Sequence, residues 1–81
     1  AARREAQRRV RAVLRRIGKR QAALLVLRHS GLRYREIARV LGVAPGSVGT
    51  LLARAERAFM CQHERMYPAT VDPDGDEGGG P

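Results

Sequence analysis

The chain has 81 residues, with 16 Lys+Arg against 8 Asp+Glu, a formal net charge of +8 and a sequence pI near 11.4. That length makes one small domain at most, which excludes a multidomain enzyme built around an interdomain cleft. No apolar run approaches the roughly 18–20 residues that span a bilayer, no short apolar segment follows a basic start, and the lone Cys61 excludes a scaffold held by internal disulfides.

From Arg3 to Ile17, Val10, Val13, Leu14 and Ile17 recur at helical spacing, while Arg4, Arg8, Arg11 and Arg15 lie away from that stripe. This predicts a first helix ended by Gly18. A second helix is predicted from about Lys19 to His29, apolar on nearly every side through Ala22–Leu27, and broken by Ser30-Gly31. A third spans about Tyr34 to Leu41, with Tyr34, Ile37, Ala38 and Leu41 inward and Arg35, Glu36 and Arg39 outward. Gly42 permits a tight turn and Val43 plugs it into the core. A fourth helix starts at Pro45, where a missing N–H costs nothing, and continues to about Tyr67 before Pro68 stops it. Its inward positions are Val48, Leu51, Leu52, Ala55 and Phe59. The fold class expected is therefore all-α: a small four-helix domain over residues 1–67. The segment 68–81, rich in Pro, Gly and acids, should form a disordered tail. The first residue is Ala1 rather than methionine, so a fragment of a longer or processed chain is expected.

Charge follows the same division. Residues 1–65 hold all 16 bases and four acids, or +12, and residues 66–81 hold no base and four acids, or −4. Fifteen of the bases are arginine, whose planar fork suits bidentate phosphate contact. A nucleic acid is the partner class this favours; the plain alternative is a solvated basic surface.

The stretch from Tyr34 to Ala53 fits the pattern of a helix-turn-helix. That motif wants apolar, small and apolar residues at its fourth, fifth and eighth places, supplied by Ile37, Ala38 and Leu41. Gly42 and Val43 supply its turn glycine and plug, and Val48 and Leu51 anchor its second helix. Ala38 lets the two helices cross closely, Gly42 accepts positive φ, and the rest lock the second helix at a fixed angle. At that angle the second helix can enter a major groove. An ordinary α-hairpin within a helical bundle is the alternative.

The run from Leu27 to Phe59, LRHSGLRYREIARVLGVAPGSVGTLLARAERAF, resembles region 4 of the sigma-70 family of bacterial RNA polymerase sigma factors, the extracytoplasmic-function branch above all. The pieces Y-R-E-I-A (34–38) and G-S-V-G-T-L-L-A-R-A (46–55) carry the likeness, which covers roughly residues 7–60 without a gap. The resemblance implies that the second helix of the motif reads the minus-35 element of double-stranded promoter DNA. It implies docking of the rest of the domain on the β flap of core RNA polymerase, an anti-sigma factor as a competitor for these surfaces, and a bacterial, cytoplasmic, nucleoid-associated location. A separate upstream domain would read the minus-10 element, and nothing like it is present here.

Helical geometry places Gly46, Ser47, Gly49, Thr50, Ala53, Arg54 and Arg57 outward on the fourth helix. Thr50 and Arg54 are the expected base readers, with Gly49 and Ala53 beside them. Ser47, near the helix start, suits a phosphate, as does Arg57. Arg33, Arg35 and Arg39, on the supporting helix and its approach, read as phosphate contacts; for Arg33 and Arg35 plain solvation fits equally. The resemblance would put basic residues where this chain has Gly49 and Leu51, and a larger side chain where it has Ala53. Either base contacts are fewer and DNA shape matters more, or Gly49 lets the helix backbone approach DNA closely. Arg33 also stands where the family would place a capping Ser or Thr, a loss of about 1 kcal/mol.

Cys61 and His63 form a C-x-H pair, but four zinc ligands at compatible spacing are lacking, so no metal or cofactor is expected. No nucleophile elbow, carboxylate pair or phosphate loop is visible, and the chain reads as a non-enzyme. The Arg-rich first helix could lie on an anionic membrane, but its apolar stripe is better explained by packing on the second helix. Two other functions stay open: a module that mainly binds the polymerase flap or an anti-sigma factor, and a GerE/LuxR-type regulator domain. The acidic tail is either an inert end or a competitor with DNA for the basic face.

Overall fold

The computed structural model describes residues 2–69, and over these the chain forms four α-helices and no strand. They are α1 (Ala2–Leu14), α2 (Lys19–His29), α3 (Tyr34–Leu41) and α4 (Val48–Met66), with a 3-10 turn at Pro45–Ser47 leading into α4. The expected bounds of α2 and α3 hold. The expected disordered tail falls mostly on 70–81, outside the described residues.

Two element ends differ from expectation. The first helix stops at Leu14 rather than Ile17, as the backbone tightens through an Arg16 N–H bond to the Val13 carbonyl at 2.9 Å. Ile17 stays half-buried from the turn, so an inward apolar residue prolonged the stripe without prolonging the helix. Gly18 does not terminate α1 in a left-handed conformation. At φ −62°, ψ 150° it is extended and begins α2 instead. At the other end, Pro45–Ser47 winds as 3-10 because the Ser47 N–H bonds the Ala44 carbonyl at 2.9 Å.

Helices α2 and α3 end by the same device. Gly31 at φ 96° and Gly42 at φ 70° take the left-handed conformation, letting the Leu32 N–H reach the Leu27 carbonyl (3.2 Å) and the Val43 N–H the Ala38 carbonyl (3.0 Å). Those bonds pair carbonyls the helix ends would otherwise leave open.

The core is aliphatic. Leu24 of α2, Ile37 and Ala38 of α3, and Val48, Leu52 and Ala55 of α4 form one buried cluster, with Leu25, Leu27, Leu32, Leu41, Val43 and Leu51 packed around it. Val13 of α1 is also fully buried. Helix α4 is the central element, touching α1, α2 and α3. Helix α2 is less enclosed than its composition suggests. Only Leu24 is fully buried there, and Val26 is 48% exposed.

Candidate nucleic-acid interface

The turn between α3 and α4 decides how α4 is presented. With Gly42 left-handed, Val43 half-buried and Ala38 too small to hold the helices apart, the axes of α3 and of Pro45–Met66 turn through 109°. That lies in the range of about 90–120° typical of a helix-turn-helix. Val48, Leu52 and Ala55 are buried, so the opposite side of α4 faces solvent. There the structure brings together Ser47, Thr50, Ala53, Arg54 and Arg57, all exposed, as expected from their spacing.

Gly49 does not lie on that face. It is half-buried, and a Cβ built on it would meet Cε2 of Tyr34 at 3.6 Å. Position 49 thus faces Tyr34 of the supporting helix at ordinary contact distance, and a role of Gly49 in direct base reading does not fit this geometry. Tyr34 corrects a second expectation. It is 44% exposed instead of inward, with one side of its ring against the first turn of α4 and the guanidinium of Arg28 5.1 Å from its centroid. Arg28 also donates from Nη1 to the Leu32 carbonyl at 3.1 Å, which clips the end of α2 to the start of α3. Sequence reasoning missed Arg28. Its basic charge just before a glycine turn was the available signal, but the partner six residues on depends on the turn's path.

On the supporting side Arg33, Arg35 and Arg39 are exposed, with Arg35 and Arg39 four apart on α3. Arg33 precedes the helix and cannot cap it by its side chain, which has no acceptor. The cap is nonetheless half made. The Arg33 backbone N–H donates to Glu36 Oε1 at 2.7 Å, the reciprocal half of a capping box, so part of the expected loss is recovered. Among the described residues the two ion pairs both belong to Glu5 on α1, so none of the five arginines around the motif is neutralised by a carboxylate. A solvent-facing helix N-terminal half flanked by exposed guanidinium groups is an arrangement that attracts phosphate and leaves a few side chains free for base edges.

Comparison with known families agrees with this geometry: the model for "Sigma-70, region 4" matches residues 7–59. The chain belongs to the sigma-70 region 4 family. No curated protein and no solved structure matches it. Sigma-70 region 4 domains are helix-turn-helix modules that bind DNA and RNA polymerase in transcription initiation, and they are not an enzyme family. No single helix among the described residues is long and apolar enough to cross a membrane.

Away from the exposed Ser47–Arg57 face, α1, α2 and α4 enclose an apolar groove of about 520 Å³, lined by Val10, Leu14, Leu25, Val26, Phe59 and Met60 among others. Val10, Val26 and Met60 are large apolar residues left open to solvent there. It shares α4 with the Ser47–Arg57 face but none of that face's residues.

Proposed function

We propose that this sigma-70 region 4 domain is the minus-35-reading module of an extracytoplasmic-function sigma factor, acting in the bacterial cytoplasm. In this reading α4 enters the major groove from its N-terminal half. Thr50 and Arg54 meet base edges, with Ala53 small enough to let the helix approach closely. Ser47, Arg57, Arg39, Arg35 and Arg33 hold phosphates on either side. The observation that carries it is the exposed Ser47–Arg57 face, held at 109° to α3 and bordered by arginines that no carboxylate of the described residues pairs.

Binding to promoter-like and scrambled duplexes across a salt series tests the reading. Each neutralised phosphate contributes a slope of roughly −0.9 in log affinity against log salt, for both duplexes alike. A sequence reader keeps a gap between the two at every salt. Equal affinities throughout would sink it.

The apolar groove favours a second role alongside the first. An amphipathic helix of the polymerase β flap, or of an anti-sigma factor, would find in Val26, Phe59 and Met60 the anchors such helices use. Flap docking and DNA reading then occupy different sides of α4 and can occur together.

A further inference from the structure

The outer side of α1 takes no part in the roles above. Arg4, Arg8 and Arg11 of α1, and Arg15 just past its end and held by its N–H to the Arg11 carbonyl at 3.2 Å, recur at intervals of four, three and four residues, so they form one row away from Val10, Val13 and Leu14. All four are exposed. Among the described residues the one carboxylate that reaches any arginine of α1 is Glu5, 3.9 Å from Arg8 and 3.2 Å from Arg9. Like charges three and four apart on a helix repel. An anion laid along the row would relieve that repulsion.

The chain carries an anion of suitable sign and length. Residues 70–81 hold Asp72, Asp74, Asp76 and Glu77 and no base. The described chain delivers this segment to α1, because Tyr67 at the end of α4 has its ring 4.9 Å from the Arg9 guanidinium. The five peptide units from Tyr67 to Asp72 reach up to roughly 17 Å, more than the diameter of about 10–12 Å of a helix with its side chains. Carboxylates at every second position repeat at about 6.6 Å along an extended chain. The arginines of the row average about 5.5 Å apart along the helix axis. The reading face is farther off, since Arg54 and Thr50 lie about 18 and 24 Å from Met66 along α4. At the high effective concentration of a short tether, the nearer cations are favoured.

We propose that residues 70–81 lie across the outer arginine row of α1, at Arg4, Arg8, Arg11 and Arg15. The tail then covers cations that would otherwise hold phosphate of any sequence, and it leaves the Ser47–Arg57 face open. The proposal rests on charge, reach and the exit point of the chain, and stands whether or not the minus-35 reading does.

The test compares the wild-type chain with a full-length variant carrying Asp72→Asn, Asp74→Asn, Asp76→Asn and Glu77→Gln, using ¹H–¹⁵N spectra of the arginine Nε–Hε groups at low salt. The expected result is a change at Arg4, Arg8, Arg11 and Arg15 that is independent of protein concentration. Added salt should bring the wild-type signals to the variant's positions. Changes confined to Arg33, Arg39, Arg54 and Arg57 would place the tail on the DNA face, and changes lost on dilution would place it on a second copy. No change at all would leave the row bare. Any of these three outcomes overturns the proposal.

Discussion

Arg54 stands one turn beyond Thr50 on the open side of α4, with no carboxylate in ion-pair reach among the described residues. A guanidinium in that position can present its fork to guanine O6 and N7, a contact worth about 1–3 kcal/mol of discrimination. Arg54→Ala is accordingly expected to narrow the gap between promoter-like and scrambled duplexes by roughly 5–150-fold. Fluorescence anisotropy with both duplexes checks this, and the melting temperature should not move because the side chain is exposed. Gly49 makes the opposite kind of prediction. A methyl group there would sit in ordinary contact with Tyr34, at 3.6 Å from Cε2. Gly49→Ala should therefore stabilise the fold by about 0.5–1 kcal/mol, through the lower entropy cost of alanine in a helix. Thermal unfolding would show it as a rise of a few degrees, with DNA affinity unchanged. Lost affinity in a stabilised protein would mean that the Gly49 backbone itself meets DNA.

At the scale of elements, α3 is the helix whose start depends on one side chain. Among the described residues its amide donor at Arg33 is paired by Glu36 alone. Glu36→Ala should cost about 1 kcal/mol, while Glu36→Gln keeps an acceptor and should lose much less. A pair of denaturant titrations separates them. Equal losses would assign the effect to the charge of Glu36 near the helix N-terminus. How much could be read in advance follows local punctuation. Helices α2 and α3 had legible limits because Gly31 and Gly42 mark their ends by a conformation other residues avoid. The end of α1 carries no such mark, and Ile17 keeps facing inward after the helix has stopped. The outward row of Ser47, Thr50, Ala53, Arg54 and Arg57 was legible from helical period alone. The contact of Gly49 with Tyr34, and of Tyr34 with Arg28, was not, since both depend on how two helices meet across a turn.

For the molecule as a whole, the proposed DNA-reading face and the apolar groove use different residues, so they should be separable by mutation. Met60 is 62% exposed in the groove wall. Met60→Asp is expected to weaken binding of a β-flap fragment at least tenfold by placing a charge in an apolar contact. It should leave affinity for promoter-like DNA within about twofold of the unmodified chain, apart from the small effect of one added negative charge. Surface-immobilised flap and duplex, measured with the same preparation, give both numbers. A parallel loss on both surfaces would show that the two faces are not independent.

Helix α4 runs unbroken for 19 residues, from the turn after α3 to the tyrosine that leans on α1. At 1.5 Å per residue it is a rod about 28 Å long. Phe59 lies about 18 Å from the Ser47 end along the axis, so a tilt of about 10° about the groove-lining half would move that end by about 3 Å, close to the 3.4 Å rise of one base pair. The rod is therefore long enough to serve as a lever arm. If α4 reads promoter DNA as proposed, a partner that tilts it against Phe59 and Met60 would shift the far end by about a base step.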